Sequence, residues 1–215
     1  FNQVDILDDR VIKQTRLSDY QSVLDRERAW YKEASRLGVT NVPELLDTEP
    51  LTLRRVRGMH PFELDMRAKG RREVLENIFA GLSDMHGRAQ TEADHQAVRE
   101  VYLDKTWQRL QKVRGLLPFT PLREVRINGR SCPNVLHPEV WPQLEQAVAE
   151  ITVDQFSFIH GDPTFSNTLI DDDRQPWFLD PRGAFGSVPF YGHALYDWAK
   201  LYYSVVGNYD QFNRR

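Results

Sequence analysis

The sequence predicts an α+β fold of two lobes, a small N-terminal lobe rich in β-strands and a larger, mainly helical C-terminal lobe. Short apolar segments typical of strands lie at residues 11–13 and 51–56, on either side of one long amphipathic segment. Further along, apolar residues recur at intervals of three and four and predict helices. We therefore predict an N-lobe of residues 1–57 and a C-lobe of residues 58–215.

The first long helix is predicted to begin at Ser18, as N-cap, and to end at Gly38. Glu27 falls inside the apolar stripe of this helix, and a carboxylate on a buried face needs a partner because an unpaired buried charge is costly. The natural partner is Lys13 in the apolar segment 11–13, one of only 6 lysines beside 22 arginines. The alternative is that Glu27 lies at the edge of the stripe and Lys13 extends its charge to the surface.

Three further helices are predicted in the C-lobe, at about residues 68–88, 95–113 and 142–151. Between the last two, the turn dipeptide Asn128-Gly129 indicates a short hairpin. The single cysteine, Cys132, lies next to Ser and Pro, so we expect it in a loop.

The most informative segment runs Phe158-Ile-His-Gly-Asp-Pro-Thr-Phe-Ser-Asn167 and is followed by Trp177-Phe-Leu-Asp180. Singly, these polar residues have ordinary explanations as turn or capping residues. Jointly, they predict a phosphoryl-transfer site, where a protein mainly positions groups and neutralises charge. We predict that Asp162 orients the acceptor hydroxyl and accepts its proton, and that Asn167 and Asp180 are oxygen ligands of Mg²⁺.

The motifs HGDPTFSN and FLDPRG resemble those of the aminoglycoside phosphotransferase and choline kinase family, small-molecule kinases of the protein-kinase-like fold. Gly161 after His160, and Pro181-Arg-Gly183 after the second Asp, differ from the His-Arg-Asp and Asp-Phe-Gly motifs of protein kinases. The longer run through Tyr196-Asp-Trp-Ala-Lys-Leu201 resembles, more loosely, phosphotransferase domains found with bacterial capsule and surface-polysaccharide genes.

This resemblance implies a nucleotide site in the N-lobe, with ATP as phosphoryl donor. Lys13 would bind the nucleotide phosphates and Glu27 would hold Lys13. Asn2 matches the end of the family's phosphate-covering loop, so we expect the N-lobe to be incomplete, without its first strand and the beginning of that loop. Backbone groups around Arg55 and Val56 would meet adenine; the alternative is an ordinary edge strand ending in a turn.

Three residues near the motifs receive other predictions. The resemblance makes His160 structural, as a buried brace between the catalytic and metal loops. Asp197 lies near the start of a helix, where an acidic residue complements the helix dipole. Arg182 is predicted either to contact a phosphate or an anionic acceptor, or to pair with Asp197 or another acid.

Composition excludes several other classes of protein. The net charge is −3 and the basic residues are dispersed, so we expect no nucleic-acid groove. One cysteine rules out an internal disulfide and suits a reducing compartment. No apolar stretch approaches the roughly 20 residues that span a bilayer, and we predict a cytoplasmic protein.

Together, these features predict an ATP- and Mg²⁺-dependent phosphotransferase that phosphorylates a hydroxyl of a small molecule. A sugar or sugar-linked alcohol is favoured as acceptor, with choline or another amino alcohol as the alternative. A non-catalytic nucleotide-binding regulatory domain is a second hypothesis, suggested by the incomplete N-lobe. A protein kinase is a third, which the absence of an Ala-Pro-Glu element after Asp180 disfavours.

Overall fold

In the computed structural model, which describes residues 3–207 and 209–211, four short strands near the N-terminus form one antiparallel sheet. The strands are β1 (Gln3–Ile6), β2 (Arg10–Gln14), β3 (Leu45–Thr48) and β4 (Leu51–Arg54), in the spatial order β1-β2-β4-β3. Lys13 pairs with Val4 on one side and with Leu51 on the other, and its side chain is buried. The predicted strand around Lys13 is confirmed.

Helix α1 (Ser18–Arg36) follows β2 and confirms the first predicted helix. The prediction of Ser18 as N-cap is wrong, because Leu17 holds the extended cap position and Ser18 is already helical. The Thr15 hydroxyl accepts a hydrogen bond from the Leu17 N–H (3.2 Å). This bond orders the backbone at Leu17, one residue before the predicted N-cap. At the other end, Gly38 has a φ of 69° and its N–H donates to the Ser35 carbonyl, as expected of a helix stop.

Contact density divides the chain into two compact units. One contains the chain up to Glu92 together with the chain from Gln155 onward, and the other is Ala93–Asp154. The predicted boundary between the two lobes, after Arg57, came from the sequence pattern and not from contacts, and it stays a prediction. The first unit continues from β4 through a 3₁₀ turn (Pro61–Glu63) into α2 (Ala68–Gly87) and β5 (Gln90–Glu92).

The second unit contains three helices and one hairpin. Its elements are α3 (His95–Arg99), a π-helical turn (Glu100–Asp104), α4 (Lys105–Val113), a 3₁₀ turn (Arg114–Leu116), β6 (Glu124–Ile127), β7 (Arg130–Pro133) and α5 (Trp141–Ala149). The predicted helix 95–113 is therefore interrupted by a π turn. Val98 and Leu103 are both buried, and their spacing of five positions matches the i to i+5 pattern of that turn.

The hairpin predicted at Asn128-Gly129 is confirmed, since β6 and β7 pair across these two residues and both have positive φ. The expectation that Cys132 lies in a loop is wrong. Cys132 is in β7 and pairs with Val125 of β6. The strand includes Ser131 and ends at Pro133, which an edge strand tolerates because it needs few backbone donors.

The rest of the first unit carries the predicted motifs on short strands. These are β8 (Gln155–Phe158), a 3₁₀ turn (Phe165–Asn167), β9 (Thr168–Ile170), β10 (Pro176–Phe178), β11 (Ala184–Phe185), β12 (Val188–Pro189) and β13 (Tyr191–Gly192), followed by α6 (Ala194–Gly207) and a 3₁₀ turn (Tyr209–Gln211). β8 lies between β5 and β13, while β9 and β10 form a hairpin. No helix in the described ranges is long and apolar enough to cross a membrane.

One apolar core joins the sheet, α1, α2, β8 and β10 within the first unit. Its most buried members include Trp30, Tyr31, Leu51, Ile78, Leu82, Met85, Phe158 and Phe178. The Trp30 ring stacks on Phe158, and its Nε1 donates to the Ile159 carbonyl (2.8 Å). The core therefore fixes α1 directly against the strand that leads into the catalytic motif.

Gly192 lies where this core leaves no room for a side chain. A Cβ at this position would lie 2.5 Å from Phe185 Cβ and 2.6 Å from Ile159 Cδ1, and both neighbours are fully buried. We expect Gly192→Ala to lower the free energy of unfolding by about 1–3 kcal/mol through overpacking. Chemical denaturation should show no such loss for Gly87→Ala, whose Cβ would meet nothing within 4 Å. Equal stability of the two variants would contradict the prediction.

Candidate active site

Asp162 lies in the loop that follows β8, at a sharp change of chain direction. The preceding Gly161 has a φ of 84°, and a Cβ there would approach Arg182 Cβ to 3.0 Å. Both the backbone angle and this contact favour glycine. The turn gives Asp162 a partly exposed carboxylate, with 17% of its side chain accessible, at the end of an otherwise buried segment.

Helix α6 holds this loop through its side chains. The Asp197 carboxylate is fully buried and accepts hydrogen bonds from the N–H groups of His160 (2.9 Å) and Gly161 (2.8 Å). Further along the loop, the N–H of Phe165 donates to Ser204 Oγ (3.0 Å). Asp197 therefore has the structural position predicted for it, near the start of a helix and bonded to loop amides.

The buried pair of His86 and Asp197 extends this support to α2. His86 Nε2 lies 3.0 Å from Asp197 Oδ2, and both side chains are buried. The carboxylate thus has three partners, which satisfies a charge that would be costly alone. Two helices and the catalytic loop meet at one carboxylate.

Two cationic side chains contact the carboxylate of Asp162. Arg182 Nε lies 3.1 Å from Oδ2, and Lys200 Nζ, from α6, lies 3.0 Å from Oδ1. Burial acts to raise the pKa of Asp162, but the positive charges of Arg182 and Lys200 outweigh it and lower that pKa. Asp162 is therefore ionised at neutral pH. Of the two alternatives for Arg182, pairing with an acid is observed, and the acid is Asp162.

Asn167 and Asp180 are brought close by the β9–β10 hairpin. The Asn167 side-chain amide donates to the Asp162 carbonyl (2.9 Å), and the Leu179 N–H donates to the Asn167 carbonyl (2.8 Å). These bonds orient the amide so that its Oδ1 is not engaged by any group that the structure describes. An amide oxygen and a carboxylate are both ligands that fit Mg²⁺, which usually takes one or two protein groups together with phosphate oxygens.

A larger set of metal ligands is not found in the described part of the chain. No three His, Cys, Asp or Glu side chains there are arranged to hold a metal ion. Asn167 and Asp180 as ligands of Mg²⁺ stay a prediction.

Asp180 has a left-handed backbone and contacts Lys13. Its φ is 55°, a conformation that Asp and Asn adopt more readily than most residues. Lys13 Nζ contacts Asp180 Oδ1 and also lies 2.5 Å from Glu27 Oε1 on α1. Burial acts to lower the pKa of Lys13, but the two carboxylates outweigh it, and that pKa is raised. The predicted Lys13 to Glu27 pair is present in the structure.

The residues predicted to meet adenine are Arg55 and Val56. Arg55 and Val56 line a cavity of about 590 Å³ whose lining does not include Lys13 or Asp180. The Arg55 N–H donates to the Asp9 carbonyl (3.0 Å), so this backbone donor is already engaged. An adenine site at Arg55 and Val56 stays a prediction. Asn2 lies outside the described residues.

His160 is fully buried, as predicted for a structural residue. Its Nδ1 accepts a hydrogen bond from the Asp162 N–H (3.3 Å), and burial lowers its pKa, so the imidazole is neutral. A fully buried ring that accepts a hydrogen bond from the Asp162 N–H is placed to brace the catalytic loop.

Sequence reasoning missed Lys200; it gave His86 as a packed or hydrogen-bonded residue, which the structure confirms, but did not identify Asp197 as its partner. A usable signal for Lys200 was its position three residues after Asp197 on the same helix, which places both on one face. No comparable signal identified His86 as the partner of Asp197, because the two are 111 positions apart. Only the packing of α2 against α6 brings them together.

The chain is similar to a known protein family and to a solved structure. A family model described as the phosphotransferase enzyme family matches residues 2–212. The fold is similar to that of a macrolide 2'-phosphotransferase type I, with a TM-score of 0.54 and 15% identity over 96% of this chain and 71% of that one. No match was found among curated protein sequences. The predicted α+β, protein-kinase-like fold and the resemblance to aminoglycoside phosphotransferases are confirmed.

Proposed function

The chain belongs to the phosphotransferase enzyme family, and from this premise we propose that it transfers the γ-phosphoryl group of ATP to a hydroxyl of a small molecule. One observation carries the proposal. Lys13 of the N-terminal sheet contacts both Glu27 of α1 and Asp180 of the loop after β10. This contact brings the predicted phosphate-binding lysine and the predicted metal ligand together in one cluster, as phosphoryl transfer requires.

At the nucleotide end, the roles follow from charge. Lys13, oriented by Glu27, donates hydrogen bonds to phosphate oxygens of the donor. Asn167 and Asp180 hold Mg²⁺, which when bound neutralises negative charge on the phosphates. The Asn167 amide donates to the Asp162 carbonyl, and the Leu179 N–H donates to the Asn167 carbonyl. These two hydrogen bonds hold the metal-binding loops in place before substrate arrives, so little reorganisation is needed.

At the acceptor end, Asp162 orients the attacking hydroxyl and takes its proton. A bond forms between the hydroxyl oxygen and the γ-phosphorus, and the bond from that phosphorus to the β–γ bridging oxygen breaks. ADP leaves with the electron pair of the broken bond. The proton on Asp162 then passes to solvent. The buried contacts of Asp197 with the loop keep Asp162 in place during this step.

The finer features of the function belong to the same proposal. A sugar or sugar-linked alcohol is the favoured acceptor, in line with the resemblance to phosphotransferase domains of capsule and surface-polysaccharide genes. ATP is the proposed donor, and the cytoplasm, where ATP and Mg²⁺ are abundant, is the proposed location.

The test is transfer of labelled γ-phosphate from Mg·ATP to a panel of sugars and alcohols, with Asp180→Asn as the variant. Asn tolerates the positive φ of this position, so the backbone should be kept while the charged metal ligand is lost. We expect label in a small molecule, and roughly 100-fold or greater loss in the variant.

The matched control is Asp172→Asn, which removes the same charge from the exposed turn of the same hairpin. Equal rates for wild type, Asp172→Asn and Asp180→Asn would overturn the role of Asp180. Tight ATP binding with neither transfer nor hydrolysis would instead favour a non-catalytic nucleotide-binding domain. Label on protein rather than on small molecules would favour a protein kinase.

A further inference from the structure

The acceptor end of the proposed site carries a surplus of positive charge. Arg182 and Lys200 both contact the single carboxylate of Asp162, one at each oxygen. We infer that the acceptor carries an anionic group, a phosphate or a carboxylate, beside the hydroxyl that is phosphorylated, and that Arg182 and Lys200 bind this group. The inference rests on the proposed function and names its class of acceptor.

The opposite charge pattern is found at the nucleotide end. There one cation, Lys13, lies between two carboxylates, those of Glu27 and Asp180. That negative surplus suits a divalent cation, and Lys13 is available for phosphate oxygens. Arg182 and Lys200 contact neither of these carboxylates; they contact Asp162, the residue that we assign to the acceptor hydroxyl. We therefore assign their charges to the second substrate.

Both cations are accessible to a ligand. Arg182 is 46% exposed and Lys200 25% exposed, whereas the carboxylate between them is 17% exposed. Arg182 bonds Asp162 through Nε alone, and its two Nη groups have no acceptor among the residues that the structure describes. A guanidinium edge of this kind matches two oxygens of a phosphate or carboxylate, and the Lys200 ammonium adds a point charge.

Stability alone does not explain this arrangement. Partly exposed ion pairs contribute little to folding, so the two contacts with Asp162 are not needed for stability. An anionic group on the acceptor would share the two cations with Asp162. The same cations oppose a polycationic aminoglycoside by like-charge repulsion.

The first experiment compares acceptors that share one ring: glucose, glucose 6-phosphate, glucuronic acid and glucosamine, each with labelled Mg·ATP. We expect kcat/KM for the phosphate or the uronate to exceed that for glucose by about 10-fold or more, with glucosamine lowest. The stronger of the two anionic acceptors identifies the group. Preference for glucose or glucosamine would overturn the inference and leave the proposed function intact.

The second experiment measures binding without turnover. Inorganic phosphate is titrated by calorimetry into protein saturated with Mg²⁺ and a non-hydrolysable ATP analogue, so that the nucleotide site is filled. We expect saturable binding that weakens about 10-fold in Arg182→Gln and in Lys200→Gln, because each loses a charge-assisted bond. Arg182→Lys, which keeps the charge but loses the planar fork, should be intermediate.

Matched controls are Arg72→Gln and Lys69→Gln, exposed residues of α2. Absence of phosphate binding, or equal binding in all variants, would overturn the inference whatever the acceptor panel shows. Absence of both transfer and ATP hydrolysis above the Asp180→Asn background would refute the proposed function, and with it this inference. Circular dichroism of each variant separates loss of binding from loss of fold.

Discussion

Asp162→Asn is expected to lower kcat by about 10²- to 10⁴-fold, the range that a positioned general base contributes. Asn has the same shape, but it cannot accept the acceptor's proton. The dissociation constant of Mg·ATP should change little, because Lys13 and Asp180 lie at the other end of the cluster. Steady-state phosphoryl transfer gives kcat, and calorimetry gives the dissociation constant.

The control for Asp162→Asn is Asp84→Asn, which also removes a carboxylate paired with an arginine, in this case Arg88 at the C-terminal end of the same helix. This variant should keep wild-type kcat. Turnover retained in Asp162→Asn would remove Asp162 from the mechanism. Loss of nucleotide binding in the same variant would mean that Asp162 supports the donor site as well.

The sequence was most informative where several residues act within a short segment. Asp162 and Asp180 follow the short strands β8 and β10, and Asn167 lies in the 3₁₀ turn between them, so their spacing in sequence was informative. The pair of Lys13 and Glu27 was also predictable. A lysine in an apolar strand and a glutamate on the apolar face of a helix each need a partner of opposite charge when they are buried.

Contacts between distant elements were less accessible. Lys200 contacts Asp162 only because α6 packs behind the catalytic loop, and His86 contacts Asp197 only because α2 packs against α6. Local patterns carry no information on which two helices become neighbours. The N-cap of α1 was missed for a related reason, since the Thr15 turn, and not the preference of Ser18 for caps, sets where the helix begins.

The pair of Lys13 and Glu27 should also govern stability, in a pattern that a double-mutant cycle reveals. Both side chains are less than a tenth exposed. Lys13→Met leaves the Glu27 carboxylate buried without its partner, so we expect the free energy of unfolding to fall by about 3–5 kcal/mol. Glu27→Met should cost less, because Lys13 keeps its contact with Asp180.

The double variant Lys13→Met, Glu27→Met should recover most of the stability lost in Lys13→Met, because two apolar side chains of similar volume replace the ion pair. It should not recover activity, since phosphate oxygens need the ammonium group and no methionine supplies one. Chemical denaturation and phosphoryl-transfer assays on the four proteins test both statements. Additive losses of stability would show that the pair is not coupled. Activity in the double variant would show that Lys13 is not the phosphate ligand. A lysine that only stabilises the fold is no longer needed once the fold has been restored, whereas a lysine that binds phosphate is still needed.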